Sequence, residues 1–327
     1  MKKVLHKAAC IAVALGGLAI AVLGHAQTYP TKLVTLRVAY PAGGPADVAT
    51  RKIQSQIQAG LGQTVIIENL PGAGGSIAAR SVLSAPPDGH VVLVTTGNDA
   101  ILAPLAMTNA KYRSDALRLV ANIFPTDLAL VTAARHSFKG VDDFVNAART
   151  KKDYSIGSWG YGSITYLAGA DFQARADIKL LDVPYKGAAP VVQALLTQEI
   201  DAAFVPMAAS VIALINSGQI KLIGTASAKR NPYLPKAPTL NEGKYVRDFF
   251  YSAWAGVFVS TQVPESAALK LNAQINEAVK TATFQEFIKE SAGLPVDEMS
   301  LAQADGFYKS EREKYEKVAK SINLTPK

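Results

Sequence analysis

The sequence predicts an α/β fold made of two lobes, each with a mostly parallel sheet covered by helices. Two observations support this prediction. Short apolar segments rich in Val, Ile and Leu alternate with helix-periodic segments along most of the chain, which is the pattern of parallel α/β sheets. The chain also has 327 residues, a length that favours two domains.

The predicted elements alternate in the order of the chain. Strands are expected at residues 33–39, 64–68, 91–95, within 119–134 as a strand pair, and at 154–157, 202–206, 222–226 and 250–259. Helices are expected at residues 48–61, 76–84, 141–150, 165–174, 190–197, 211–217, 265–281, 283–292 and 301–321. The last helix carries many charges, such as Lys309, Glu311 and Glu313, and a run of this kind is typical of a solvated helix face.

The first 26 residues have the pattern of a secretory signal peptide. Basic residues at Lys2, Lys3 and Lys7 precede an apolar run, and Gly24-His25-Ala26 forms a small-x-small cleavage signature. We expect export and cleavage after Ala26. The alternative, an uncleaved membrane anchor, is disfavoured because the apolar run is short for a membrane span.

Composition excludes several classes of function. Cys10 is the only cysteine and lies in the predicted signal peptide, so the exported chain offers no disulfide, thiol nucleophile or thiolate ligand. Without Lys2, Lys3 and Lys7, 31 basic residues face 26 acidic ones, a net charge of +5. The charge forms no basic run typical of nucleic-acid binding, but a mild positive field favours anionic solutes.

Catalytic patterns are missing from the sequence. The exported chain has two histidines, His90 and His136, and they lie far apart in sequence without metal-ligand spacing. Ser158 and Ser163 lie in a glycine loop but have no evident histidine partner. No phosphate-loop lysine or complete dinucleotide fingerprint is present. A secreted α/β hydrolase that uses Ser158 or Ser163 stays open as an alternative from a different class.

Glycine-rich loops are the most informative feature. Tyr-Pro-Ala-Gly-Gly-Pro-Ala-Asp at 40–47 follows a predicted strand and leads into a predicted helix. Amides at the start of a helix lack internal partners and carry partial positive charge, and glycines let a ligand approach them. Similar loops occupy residues 71–76 and 157–163. Several such loops without a catalytic set favour binding of a small anion.

These motifs resemble the tripartite tricarboxylate receptors, also called Bug solute-binding proteins, over nearly the whole exported chain. The most specific match is Glu-Asn-Leu-Pro-Gly-Ala-Gly-Gly-Ser-Ile at 68–77, which is similar to the family's ENxPGAGG stretch. Further matches in the same order lie at 29–30, 40–47, 85–89, 183–187, 228–230 and 234–239.

The resemblance implies a periplasmic receptor with a two-lobed, type II periplasmic-binding-protein (Venus-flytrap) fold. It implies lobe 1 from residues 27–126 and 251–327 and lobe 2 from 127–250. Such a receptor captures a small organic carboxylate between its lobes and delivers it to a tripartite tricarboxylate-type membrane transporter. We expect a non-enzymatic monomer with no cofactor, metal or nucleic-acid partner. A sensor that signals to a kinase uses the same lobe closure and stays open as an alternative.

The resemblance also implies which residues bind the ligand. They lie in the glycine loops and in adjacent segments of both lobes: Tyr40, Gly43, Gly44, Asp47, Thr96, Asn98, Asp99, Ser158, Gly160, Tyr161, Gly162, Ser163, Pro184, Lys186 and Gly187.

The sequence leaves two possible roles for some of these residues. Asp47 either contacts the ligand or stabilises the first turn of its helix through the helix dipole. Ser163 is expected to cap a helix and can also donate to the ligand. Relatives often carry His where this chain has Asp99 and Tyr166, so the ligand can differ from a simple tricarboxylate. Asp99 either repels a second carboxylate, which favours a ligand with a hydroxyl, amine or aromatic group there, or caps a helix that starts near Ala100.

Overall fold

One mixed sheet of nine strands runs through the part of the chain that the structure describes. The computed structural model describes residues 29–151, 153–232 and 234–326, and the predicted signal peptide lies outside these residues. The strand order is β2-β1-β3-β9-β4-β7-β5-β6, and β8 pairs with β4. The strands are β1 Val34–Val38, β2 Val65–Asn69, β3 Val91–Thr96, β4 Leu117–Ala133, β5 Ser155–Ser158, β6 Leu181–Pro184, β7 Ala202–Pro206, β8 Ile220–Thr225 and β9 Ser252–Ser260.

Ten α-helices cover this sheet within the described residues. They are α1 Pro45–Leu61, α2 Ser76–Leu83, α3 Gly97–Ala106, α4 Val141–Thr150, α5 Ile164–Ala176, α6 Ala188–Leu196, α7 Ala209–Asn216, α8 Glu265–Val279, α9 Ala282–Glu290 and α10 Leu301–Ser321. No helix in the described part of the chain combines the length and apolar character that a membrane span requires.

The first half of the sheet has a parallel centre. β1 pairs in parallel with β2 on one side and with β3 on the other, and β9 then joins β3 in antiparallel orientation. Val34, Leu36 and Val38 on β1 are fully buried or nearly so, because a parallel sheet is covered on both faces. This arrangement confirms the α/β pattern expected for the start of the chain.

Strand β4 belongs to both halves of the molecule. Residues 117–127 pair with β9, whereas residues 128–133 pair with β7 and β8. The expectation of a strand pair within residues 119–134 is therefore wrong, since this segment is one continuous strand. Next to the point where its partners change, Leu128 N donates to Tyr251 O at 3.3 Å. The two segments that link the halves, β4 and the chain entering β9, thus lie side by side. The exact lobe boundaries stay a prediction.

The second half repeats the parallel arrangement. β5 pairs in parallel with β6 and with β7, and β7 joins β4 in antiparallel orientation. Aromatic side chains fill the core beneath α5, where Phe172 packs edge-on against both Phe204 and Phe249. The two-lobed α/β fold is confirmed.

The charged helix α10 is amphipathic and buries one of its acidic groups. It begins with a capping box in which Ser300 and Gln303 bond each other's backbone amides. Lys309 and Glu313 are exposed, as expected for a solvated face. Glu311, however, is only 8% exposed and accepts a hydrogen bond from Trp254 Nε1 at 3.2 Å. The expectation of a solvated position is wrong for Glu311, because this residue faces the sheet.

Candidate functional site

The strand order locates a ligand crevice in each half of the sheet. In open parallel sheets, ligands bind beyond the carboxyl ends of strands, where successive connections leave in opposite directions. In the first half this point lies between β1 and β3, since β2 and β3 flank β1. In the second half it lies between β5 and β7, since β6 and β7 flank β5. The relevant loops are therefore residues 39–44, 96–99, 158–163 and 206–208.

The loop after β1 leads into a helix that has no side-chain cap. Helix α1 starts with Gly44 as N-cap and Pro45 as its first residue, three residues earlier than expected. Proline suits this position because its missing amide would have no partner there. Gly43 has φ +87°, a left-handed conformation that glycine adopts easily. Gly44 has φ −71° and its side-chain position is open apart from Pro41 O at 3.5 Å.

Asp47 holds this loop from below. Its carboxylate is 1% exposed and accepts hydrogen bonds from Gly43 N at 2.9 Å, Arg51 Nε at 2.9 Å and Asn69 Nδ2 at 2.8 Å. Burial opposes ionisation, but these bonds outweigh it and lower the pKa of Asp47 to about 2. Asp47 therefore fixes the loop as an ionised, internally satisfied group, and its contact with a ligand stays a prediction.

Tyr40 and Asp99 join the two loops that flank the first crevice. The Tyr40 hydroxyl donates to Asp99 Oδ2 at 2.5 Å and accepts from Thr96 N at 3.0 Å. Burial raises the pKa of Asp99 to about 6, although bonds with Tyr40 and Thr96 oppose the rise. Burial and the nearby Asp99 charge also raise the pKa of Tyr40. The tyrosine therefore stays protonated and orients the carboxylate.

Thr96, and not Asp99, caps helix α3. The helix begins at Gly97, and Thr96 Oγ1 accepts from Asp99 N at 3.1 Å. The alternative that Asp99 caps a helix starting near Ala100 is wrong, because Asp99 already lies in the first turn. Asp99 as a whole residue is half-buried beside the crevice.

Asn98 lies beneath this crevice. It is 3% exposed, and its Nδ2 donates to Tyr315 Oη at 2.8 Å and to Ser252 O at 3.4 Å. Asn98 therefore ties α3 to α10 and β9, and its role in ligand binding stays a prediction.

The loop after β5 is held mainly by its own hydrogen bonds. The Ser163 hydroxyl donates to Gly160 O at 2.7 Å and accepts from Tyr166 N at 3.2 Å, which confirms Ser163 as the N-cap of α5. Ser158 is 2% exposed, and its Oγ accepts from Gly160 N at 3.3 Å. A cavity of about 110 Å³ lies beside this loop and is lined in part by Ser158, Tyr166 and Asp182.

Two residues of the same loop reach the first half of the molecule or the C-terminal segment. Gly162 lies against Ala106 at the end of α3, where a Cβ on Gly162 would stand 2.1 Å from the Ala106 Cβ. The Tyr161 hydroxyl donates to Thr325 O at 3.0 Å and accepts from Thr325 N at 2.8 Å. The loop therefore meets both α3 and the segment that follows α10.

The segment after β6 lies beside this loop. Tyr185 N donates to Ser158 O at 2.8 Å, which places Pro184, Lys186 and Gly187 next to the end of β5. Gly187 is the N-cap of α6 and has no side-chain cap bond, whereas Pro184 and Lys186 are exposed. This segment flanks the crevice, since β6 pairs with β5 on the side away from β7.

Sequence reasoning missed the loop after β7. Residues 206–208 lie opposite the β5 loop and precede α7, whose N-cap Ala208 offers no side chain for capping. The loop has no glycine, so only the strand order identifies it. The loop after β5 also contains Trp159. Its indole Nε1 is buried without a hydrogen-bond partner among the described residues, which leaves a free donor in the β5 loop.

The histidines are placed apart from the candidate serines. His90 Nε2 accepts from Thr31 N at 3.0 Å. His136 Nε2 lies 2.8 Å from Asp201 Oδ1, and the Ser155 hydroxyl donates to Asp201 Oδ2 at 2.9 Å. In this cluster the aspartate separates the other two groups, whereas nucleophilic catalysis requires the histidine in the middle. No group of three or more potential metal ligands occurs in residues 29–151, 153–232 and 234–326.

Comparisons with known proteins agree with this geometry. The profile of the tripartite tricarboxylate transporter family receptor matches residues 49–324. A protein from the tcbD-tcbE intergenic region of Pseudomonas sp. strain P51 is 30% identical over 305 residues, covering 91% of this chain and 88% of that protein. BugT of Bordetella pertussis is 28% identical over 293 residues, covering 88% and 87%.

Solved structures show the same fold. The periplasmic binding protein BugD has 25% sequence identity and a TM-score of 0.75, covering 91% of this chain and all of that chain. MatC from Rhodopseudomonas palustris, solved with bound malate, has 26% identity and a TM-score of 0.74, covering 89% and 99%. The chain therefore belongs to the tripartite tricarboxylate transporter receptor family of solute-binding proteins.

Proposed function

We propose that this protein captures a small organic carboxylate in the periplasm and delivers it to a tripartite tricarboxylate-type membrane transporter. The observation that carries this proposal is the uncapped start of α1 beside the crevice between β1 and β3. A related receptor of the same fold, MatC, was solved with malate, which supports a small carboxylate as the ligand class.

The start of α1 has the properties of a carboxylate site. Its N-cap makes no side-chain hydrogen bond to the first-turn amides, so the amides of Ala46 and Asp47 are left for a ligand. The helix dipole adds partial positive charge at this end. Gly44 keeps the approach open because it carries no side chain. We assign one carboxylate of the ligand to these amides.

The loop after β5 provides the opposite wall. Its hydroxyls largely satisfy one another, because Ser163 and Ser158 bond within the loop. We therefore assign ligand contact in this loop to the backbone amide of Gly162 and to the Trp159 indole N–H. Burial of that N–H without a partner costs free energy unless a ligand or water accepts its hydrogen bond. Ser158, Gly160 and Ser163 then hold the loop in shape.

Ligand capture would use closure of the two lobes. The links between them lie side by side, where Leu128 N donates to Tyr251 O, and we place the hinge there, close to the expected boundaries at residues 126 and 250. Contacts such as Gly162 against Ala106 are made across the crevice. A ligand that touches both walls stabilises the closed state by its differential affinity.

The experiment that tests this proposal is a ligand screen on the exported chain. Protein starting at Gln27 is heated with small mono-, di- and tricarboxylates and with neutral amides of the same skeletons as controls. A ligand that binds only the native state raises the melting temperature. We expect at least one carboxylate to do so and its amide not to. No shift with any carboxylate, followed by no heat in calorimetry, contradicts the proposal.

A further inference from the structure

Asp99 is a half-buried residue at the first crevice, and its carboxylate has no basic partner in the described residues. Three other shielded aspartates in the described residues pair with arginine: Asp47 with Arg51, Asp171 with Arg175 and Asp201 with Arg135. The buried Asp127 instead accepts a hydrogen bond from Asn231 and, like Asp99, forms no ion pair there. In the described residues, the Asp99 carboxylate bonds hydroxyl groups of Tyr40 and Thr96 but forms no ion pair. Its negative charge is therefore left uncompensated by the protein.

The Asp99 carboxylate does not serve as the N-cap of a helix. Thr96 already accepts the hydrogen bond from Asp99 N and serves as the N-cap of α3. The Asp99 side chain instead projects where three loops converge. It meets Tyr40 from the loop after β1, and Gly75 approaches from the loop before α2, where an added Cβ would stand 3.5 Å from Asp99 Cβ.

Tyr40 positions the carboxylate for a further partner. Its hydroxyl donates to Oδ2, so Oδ1 is the oxygen that we assign to a ligand. Tyr40 lies shortly after β1, which ends at Val38, and a few residues before the start of α1. The proposed carboxylate site and the Asp99 carboxylate thus lie on the two sides of the β1–β3 crevice.

We propose that Asp99 selects a ligand with an ammonium group, so that the bound solute is a small amino carboxylate. This inference rests on the proposed function: the carboxylate of the solute occupies the start of α1, and its ammonium pairs with Asp99. A charged donor forms a stronger hydrogen bond to a carboxylate than a neutral donor does. A second carboxylate at this position would be repelled.

The test compares matched pairs of ligands by isothermal titration calorimetry. L-alanine is compared with L-lactate, and L-aspartate with L-malate, because each pair exchanges an ammonium group for a hydroxyl group. We expect wild-type protein to bind the better amino acid at least about tenfold more tightly than its hydroxy partner. Asp99→Asn should reduce this ratio to near unity, and Asp297→Asn, which removes an exposed carboxylate between α9 and α10, should leave it unchanged.

The outcomes separate this inference from the proposed function. If hydroxy acids bind as tightly as amino acids, or if Asp99→Asn leaves the ratio unchanged, Asp99 does not select for ammonium while carboxylate capture stands. If neither class binds and the wider carboxylate screen is also empty, the proposed function is contradicted as well. The wild-type comparison needs no variant, so it decides the question even if Asp99→Asn fails to fold.

Discussion

Gly162 and Ala106 lie in direct contact across the two halves of the molecule. An added Cβ on Gly162 would stand 2.1 Å from the Ala106 Cβ and 3.6 Å from its Cα. Gly162 also has φ +77°, so glycine is required here both by the backbone and by the close approach. The loop after β5 can reach α3 only because this position has no side chain.

Gly162→Ala should therefore weaken ligand binding by preventing full closure. The control is Gly218→Ala, since Gly218 has a similar φ of +74° but open space around its side-chain position. We expect both variants to lose about 1 kcal/mol of unfolding free energy from the left-handed backbone. Only Gly162→Ala should lower the affinity for the carboxylate found in the screen. Equal affinities of the two variants in calorimetry would show that this contact does not limit closure.

The Tyr161 hydroxyl should hold the segment after α10. Its two hydrogen bonds to the Thr325 backbone are lost in Tyr161→Phe, which keeps the ring. We expect faster amide hydrogen exchange in residues 322–326 of this variant, because local opening becomes easier. Tyr166→Phe is the control, since Tyr166 packs against the Tyr161 ring at 5.2 Å. Unchanged exchange in Tyr161→Phe would mean that other contacts hold this segment.

Ser163→Ala should destabilise the protein through the lost cap of α5. The hydroxyl accepts from Tyr166 N, and loss of such a cap costs about 1 kcal/mol. Because the same hydroxyl donates to Gly160 O, we also expect the loop to loosen and affinity to fall. Urea unfolding and calorimetry measure the two effects separately. A loss of stability without any loss of affinity would leave Ser163 with the capping role alone.

Asp99 should make the ligand-free protein less stable as pH rises. Burial raises its folded-state pKa from 3.8 to about 6, so the unfolded chain releases this proton first. Its contribution to stability is therefore present below about pH 4 and is lost as the pH rises to about pH 6. The titratable groups near it, Tyr40 and Tyr112, have raised pKa values and stay neutral in this range.

Urea unfolding of wild type and Asp99→Asn across this pH range tests whether the free energy of unfolding changes with pH in this direction. The variant should gain stability relative to wild type as pH rises, because it has no charge to bury. Asp297→Asn serves as the control for removal of an exposed carboxylate. A constant difference between wild type and Asp99→Asn at all pH values would show that Asp99 titrates normally.

Local sequence signals predicted most of the elements and one of the caps. The alternation of apolar strands and helical segments identified β1, β2, β3 and the helices between them. The Ser163 cap followed from a serine directly before a helical segment. The first glycine loop was recognised because Gly43 and Gly44 lie between a predicted strand and a predicted helix.

Features that depend on distant parts of the chain could not be predicted in this way. The loop at residues 206–208 faces the crevice only because β7 lies beside β5, and strand order is not a local property. The continuity of β4 depends on β9 and β7 pairing with its two ends. Burial of Glu311 depends on Trp254 as a partner, and the composition of α10 does not show that contact.

The most direct test of the central claim is calorimetry of Gly44→Val with the carboxylate identified in the screen. Gly44 has an ordinary backbone conformation and open surroundings, so valine should leave the fold intact while covering the first amides of α1. The control is Gly140→Val, because Gly140 is also an N-cap without a side-chain bond, has open space around it and starts α4. We expect Gly44→Val to abolish or strongly weaken binding and Gly140→Val to bind as wild type does. Wild-type affinity in a folded Gly44→Val protein would contradict carboxylate binding at the start of α1.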